Sequence, residues 1–214
     1  MPDRRDILMA GLAGGALAAV PGLLPAAASA LAVDVGVDVG AAAGSVVAPY
    51  RVVVDERFAA ARALGAAARA RGWAVSSIRG DVTPLWYQDL ALRWRAGPAP
   101  IVGLTTASAL FCLERLAWDA LMRLNLRIDH RPGPGGRIDH ELAAQPGLLT
   151  RTDLAALARA DFSAALPPLL ARVTHAARGR PQIHTLAGAA AAQAPLEEAA
   201  LVSWSIGTRP RAAA

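Results

Sequence analysis

Polar residues of the kinds that bind anions or move protons fall in four short sets along this chain. They are Asp55 with Glu56; Arg79, Gly80, Asp81 and Thr83; Thr105, Thr106 and Ser108; and Asp129 with His130. Carboxylates and imidazoles are the usual general bases, so Asp55, Asp81 and His130 are the candidates for proton transfer. Arg79 offers a charge-assisted contact to an anion. The Thr-Thr-x-Ser run precedes an apolar helical pattern, where free N–H groups and hydroxyls face the same place. Gly80 and Gly103 would let backbone approach a ligand closely. The expected ligand-binding set is therefore Arg79, Gly80, Asp81, Thr83, Thr105, Thr106 and Ser108. Taken singly, Asp81, Thr83, Thr105 and Thr106 also suit the plainer task of capping helices.

The remaining chemistry-bearing residues carry less. His130 and His140, with Asp129 and Asp139, are the weak candidates for a metal site, but the nine intervening residues match no ligand spacing and no metal is expected. His175 reads as a helix-surface residue, and His184 carries no signal. Cys112, between Phe111 and Leu113 in mid-helix, reads as a small buried hydrophobe rather than a reactive thiolate. Glu114-Arg115, and Asp119 with Arg123, read as surface ion pairs. Trp73, Trp86, Trp94 and Trp118 read as core anchors. No lysine is present, so all 22 basic residues are arginine. Schiff-base chemistry, Walker-type phosphate loops and Ser–Lys dyads are excluded with it. The lone cysteine excludes an internal disulfide and c-type haem attachment. Neither a nucleophile-elbow nor a dinucleotide fingerprint occurs, so no cofactor is identified.

These residues must be positioned by an alternation of short strands and amphipathic helices. Arg51 to Asp55 is a β-branched run, and residues 57–71 form an alanine-rich helix before Gly72. A second strand covers residues 73–78. A helix then runs from an N-cap at Thr83, with Pro84 at its first turn, to about Ala96. Ile101, Val102 and Leu104 form a third strand, leading through the hydroxyl-rich turn to a helix ending near Met122. A fourth strand spans residues 124–130. The segment 131–136 (RPGPGG) separates two echoing arms, Arg127-Ile128-Asp129-His130 and Arg137-Ile138-Asp139-His140, as a hairpin would. A helix capped by Thr152 and another starting after Pro167-Pro168 are expected. Strands near residues 183–186 and 201–206 follow. The β-α-β-α-β-α-β order over residues 50–130 predicts a three-layer α/β/α domain with a mostly parallel, Rossmann-like sheet, with room for a hairpin or antiparallel edge strand. In such sheets, ligands bind beyond the carboxyl ends of the strands, where the four polar sets would gather.

At 214 residues, the chain allows one domain with a sizeable core, expected over residues 50–214. Residues 31–49, with the repeat Val33-Asp34-Val35-Gly36 and Val37-Asp38-Val39-Gly40, read as a linker. Residues 1–30 divide as an export leader does: a charged start, an apolar Ala/Gly/Leu run from Ile7 to Leu24, and the small-x-small site Ala28-Ser29-Ala30. Arg4-Arg5-Asp6-Ile7-Leu8 resembles the core of a twin-arginine (Tat) signal, and the glycine-rich apolar run is similar to that family's. Asp3 and Met9 depart from its usual hydroxyl and lysine. The resemblance implies export to the periplasm in a folded state, often with a cofactor or beside a partner. A retained leader would instead be a membrane anchor.

The net charge of +5 is spread over dispersed arginines without an aromatic-interleaved patch, which argues against nucleic acid; an anionic small molecule, a lipid head group or an acidic partner protein suits the same charge. Three functions are consistent with these features. One is a periplasmic accessory or ligand-binding protein, which the absence of a legible nucleophile–base pair favours. The second is a hydrolase or transferase with an Asp or His base. The third is a subunit of a Tat-exported redox complex.

Overall fold

The β-branched run Arg51–Asp55 forms β1, whose four inner residues are fully sequestered from solvent. The computed structural model describes residues 48–133, 137–144, 147–159, 161–174, 181–188 and 200–208. The leader, most of the linker and His175 lie outside them. α1 (Ala59–Arg69) follows β1 and buries Ala61, Leu64 and Ala68, a stripe at helical spacing. β2 (Val75–Ile78) comes next, then a helical segment built of α2 (Thr83–Leu85), a π-helical turn (Trp86–Leu90) and α3 (Ala91–Arg95). β3 (Ile101–Thr106) leads into α4 (Ala107–Asp119), and β4 (Met122–Pro132) into β5 (Ile138–Ala144). α5 (Arg151–Leu157), α6 (Phe162–Arg172), β6 (Gln182–Leu186) and β7 (Leu201–Thr208) complete the order.

The strands make one mixed sheet in the order β2-β1-β3-β7-β4-β5-β6. β1 pairs in parallel with β2 and β3, but the other four pairings are antiparallel. The expected mostly parallel, Rossmann-like sheet is therefore corrected. β4 does run in the sense of β3, as the alternation of strands and helices requires. However, β7 inserts between them with Gly103 opposite Trp204 and Arg127 opposite Trp204 on its other side, and so reverses both junctions. The expected hairpin is present: β4 and β5 pair with His130 directly across from His140.

Helices cover both faces of the sheet, and alternate strand residues feed two cores. Val52, Val54, Val102, Leu104 and Leu142 pack with Leu64, Leu166 and Leu170 on the face of α1, α5 and α6. Val53, Ile101, Trp204 and Ile206 pack with Leu90, Trp94, Leu110 and Leu113 on the other. β4 serves both cores. Its pairing with β7 slips between Leu124 and Leu126, so Met122 and Leu124 face one core while Leu126 and Ile128 face the other. A bulge adds one residue to one strand, and a slip of one residue turns the following side chains over. The extra residue, Asn125, is buried and donates through Nδ2 to the carbonyls of Val173 and Thr174.

Several local expectations are corrected. Thr83 is the first residue of the helical segment rather than its N-cap, which is Val82; the carboxylate of Asp81, just before, accepts the Thr83 N–H at 2.8 Å. Thr150, not Thr152, caps α5 in a reciprocal box with Asp153. α6 runs through Pro167-Pro168 rather than starting after them, forgoing the two bonds that prolines cannot donate. Cys112 is exposed. Trp118 is exposed too, stacked with Arg115, while Arg123 donates to the Trp118 and Met122 carbonyls instead of pairing with Asp119. Among the described residues, the largest wholly buried side chain is Trp204.

Candidate functional site

The carboxyl ends of β1, β2 and β3 form one rim of the sheet. Asp55 lies level with Ile78, and Thr105 is one residue beyond the Val54–Leu104 pair. The chain leaves β1 into α1, on one face, and leaves β3 into α4, on the other. A crevice between two neighbouring parallel strands whose connections depart to opposite faces is where open α/β sheets take ligands. The sequence-predicted residues Asp55, Glu56, Arg79, Gly80, Asp81, Thr83, Thr105, Thr106 and Ser108 all belong to the ends and following turns of these three strands.

They do not all remain available to a ligand. Asp55 is buried and holds Arg57 through two bonds, Nε to Oδ1 at 2.9 Å and Nη2 to Oδ2 at 2.7 Å. That pairing raises the Arg57 guanidinium further above its ordinary range. Gly80, at φ +87°, lies beneath this guanidinium; a Cβ there would come within 2.6 Å of Nη2. Only a residue without a side chain takes this conformation without strain. The Asp81 carboxylate is held below its usual range by the backbone N–H of Thr83. Thr105 is buried in β3, accepting Trp204 Nε1–H at 3.0 Å and donating to the Thr106 carbonyl. Gly103 serves the same tryptophan rather than a ligand: a Cβ would lie 2.6 Å from Trp204 Cζ2 and 2.3 Å from the Val53 carbonyl.

Three groups stay open. Arg79 is 77% exposed and stands 3.8 Å from Glu56. Thr106 caps α4 by accepting from Ala109 N, and its hydroxyl lies 3.1 Å from that of Ser108. Beside them the first N–H groups of α4 have no partner within the helix, and the helix dipole adds positive character at that end.

His130 also lies toward this rim in register, but strand alternation turns it to the α6 face and seals it. Its Nδ1 is 2.7 Å from His140 Nδ1, and its Nε2 is 2.6 Å from Ser203 Oγ. Phe162 covers both rings, at centroid distances of 4.6 and 4.9 Å. His130, His140 and Ser203 are all at most 1% exposed. Burial, and secondarily the neighbouring His140, push His130 well below the ordinary imidazole range. Burial lowers His140 to about 4, although the Leu157 backbone and Asp139 pull it upward. The Leu157 contact falls short of hydrogen-bond geometry, so His140 Nε2 is buried without a bond among the described residues.

A serine on Nε2 and a third group on Nδ1 is the order of a nucleophile, its base and an orienting residue. Here the nucleophile is enclosed, so no reacting carbon reaches it. Nor do the two Nδ1 atoms suit one metal ion: two tetrahedral ligands at about 2.0–2.1 Å would stand roughly 3.4 Å apart. Asp129 points to the opposite face and pairs with Arg127 at 2.7 and 2.8 Å. Among the described residues, no three His, Cys, Asp or Glu side chains gather to hold a metal.

The rim residues missed in the sequence are Arg57, whose spacing from Asp55 across a strand end was its signal, and Trp204. Ser203 was missed because its partner lies 73 residues away. The chain matches no family model, no curated protein and no solved structure.

Proposed function

We propose that this is an exported accessory or ligand-binding protein that holds an anionic small molecule, or an acidic group of a partner enzyme, at the carboxyl rim of β1, β2 and β3. One observation carries the reading: at the β1–β3 rim the largely exposed Arg79, the mutually bonded hydroxyls of Thr106 and Ser108, and the N-terminus of α4 all reach solvent. Arg79 supplies the charge, and Thr106 and Ser108 supply hydroxyl donors. Binding is favoured over catalysis because each candidate base is engaged elsewhere: Asp55 with Arg57, Asp81 with Thr83, and His130 with His140 and Ser203. The twin-arginine resemblance of residues 4–8 supports the periplasmic setting.

Calorimetric titration of the full chain with inorganic phosphate and small dicarboxylates tests this. A charge-assisted hydrogen bond is worth about 1.5–3 kcal/mol, so Arg79→Ala should weaken the best anion roughly 10- to 100-fold. Its thermal unfolding should be unchanged, because the Arg79 side chain is largely in solvent. Equal affinity in both proteins would reject the rim as the binding site.

A further inference from the structure

The His130–His140 cluster is a buried titratable group to which the rim gives no task. It sits where three parts of the fold meet. One bond crosses from β4 to β5, the other crosses from β4 to β7, and Phe162 of α6 lies over both rings. The Nδ1–Nδ1 contact needs one donor and one acceptor, so it is made with a single shared proton. If Ser203 donates to His130 Nε2, His130 donates to His140, and the His140 Nε2–H is left toward Leu157. A further proton on either ring introduces a charge into this enclosed face, and a second sets two N–H groups head to head.

The surroundings do little to balance such a charge. On β5, Asp139 favours protonated His140 but faces the other side of the sheet beside Arg137, and Glu141 pairs with Arg131. On β4, Asp129 is held by Arg127. On α5 and α6, Asp153 is committed to Thr150 and Arg172, and Asp161, just before α6, to Arg159. β7 contributes the serines Ser203 and Ser205, and β6 contributes the half-buried His184 opposite Leu142. Among the described residues, no carboxylate reaches either ring.

We propose that His130, His140 and Ser203 form an acid-released latch that ties the β4–β5 hairpin to β7 and to α6. Both imidazoles are neutral in the closed form, whereas an unfolded histidine titrates near 6.5. The folded values are depressed, so the stabilisation is complete above that pH. It is lost as the pH falls from 6.5 toward the value of about 4 that His140 has in the fold. If opening takes up two protons, the opening constant rises up to about a hundredfold per pH unit in that window.

The test is denaturant unfolding of the full chain between about pH 7.5 and about pH 4.5, beside a His130→Gln/His140→Gln double variant. The wild type should lose stability steeply below pH 6.5 and the variant should be flatter by about two protons' worth of slope. Hydrogen exchange at about pH 5 should show β5 and α6 opening before β1 and β3. Equal slopes in the two proteins would overturn the latch. Should the double variant fail to fold, the imidazole NMR titration of the wild type decides. Two of the four histidines staying neutral below pH 6.5 supports the latch, and four titrating near 6.5 overturns it.

Discussion

The two halves of the sheet place polar residues on opposite terms. In the parallel half, β2-β1-β3, charge and hydroxyl groups end up on a rim where water and ligands can reach them, and the arginine that matters there is largely exposed. In the antiparallel half, β7-β4-β5-β6, two imidazoles and a serine turn inward and bond to one another. The difference lies in connection. Parallel strands end at loops that dive into helices on alternate faces, so their last residues are left at an opening. The β4–β5 hairpin continues past the same level, so His130 remains inside a ladder with a helix above it. Polar residues at one height in the sheet therefore become a binding edge in one half and a sealed network in the other.

The seam between the halves should be the most sensitive place to break. Gly103→Ala would drive a methyl against Trp204 and the Val53 carbonyl together, and neither the central strand nor its neighbour can move aside. A loss of about 3 kcal/mol or more is expected, read by denaturant unfolding. If Gly103→Ala is tolerated within about 1 kcal/mol, the close seating of Trp204 on β3 is wrong. Asp153→Ala acts away from the rim, on the α5–α6 face of the sheet, where it removes the α5 cap and leaves Arg172 without its carboxylate. It should cost about 2 kcal/mol, with rim binding of phosphate intact. Thr106→Ala acts only on the parallel half. Its bond to Ala109 N is long, at 3.4 Å, so the stability loss should be near 0.5 kcal/mol while anion affinity falls. A larger loss of stability with unchanged affinity would make Thr106 purely a cap.

What was legible in the sequence was local. The β-branched run at Val52–Val54 and the echoing arms around residues 131–136 each gave their element correctly, because period and turn chemistry are written in neighbouring residues; the hydroxyl-rich turn expected at Thr105 and Thr106 is instead the end of β3, with α4 starting directly at Ala107. The neighbours in space were not written there. Leu201 to Ile206 reads as one more strand, and nothing in it announces that Trp204 will reach Thr105, 99 residues earlier. The face of α4 was ambiguous because two apolar stripes compete: Leu110, Leu113 and Ala117 go inside, while Phe111 and Trp118 stay out beneath Arg115. The rim was found as a set, but which members are free depended on pairings such as Asp55 with Arg57 and Asp81 with Thr83. Those are fixed by side-chain direction at strand and helix ends, which composition does not report.

The place of β7 has a consequence for how the molecule is made. It is last in chain order of the seven described strands yet fourth in the sheet, at its centre between β3 and β4. A chain growing from its amino end therefore displays both halves before the strand that joins them exists. Until then β3 and β4 each carry an open ladder rich in aliphatic side chains, the kind of edge that recruits other chains. Sheet closure must wait for a contact spanning about half the sequence, which slows folding and favours a chaperone during that interval. A stop codon just before Leu201 would remove few residues but leave two sticky borders, and such a chain is expected in the insoluble fraction.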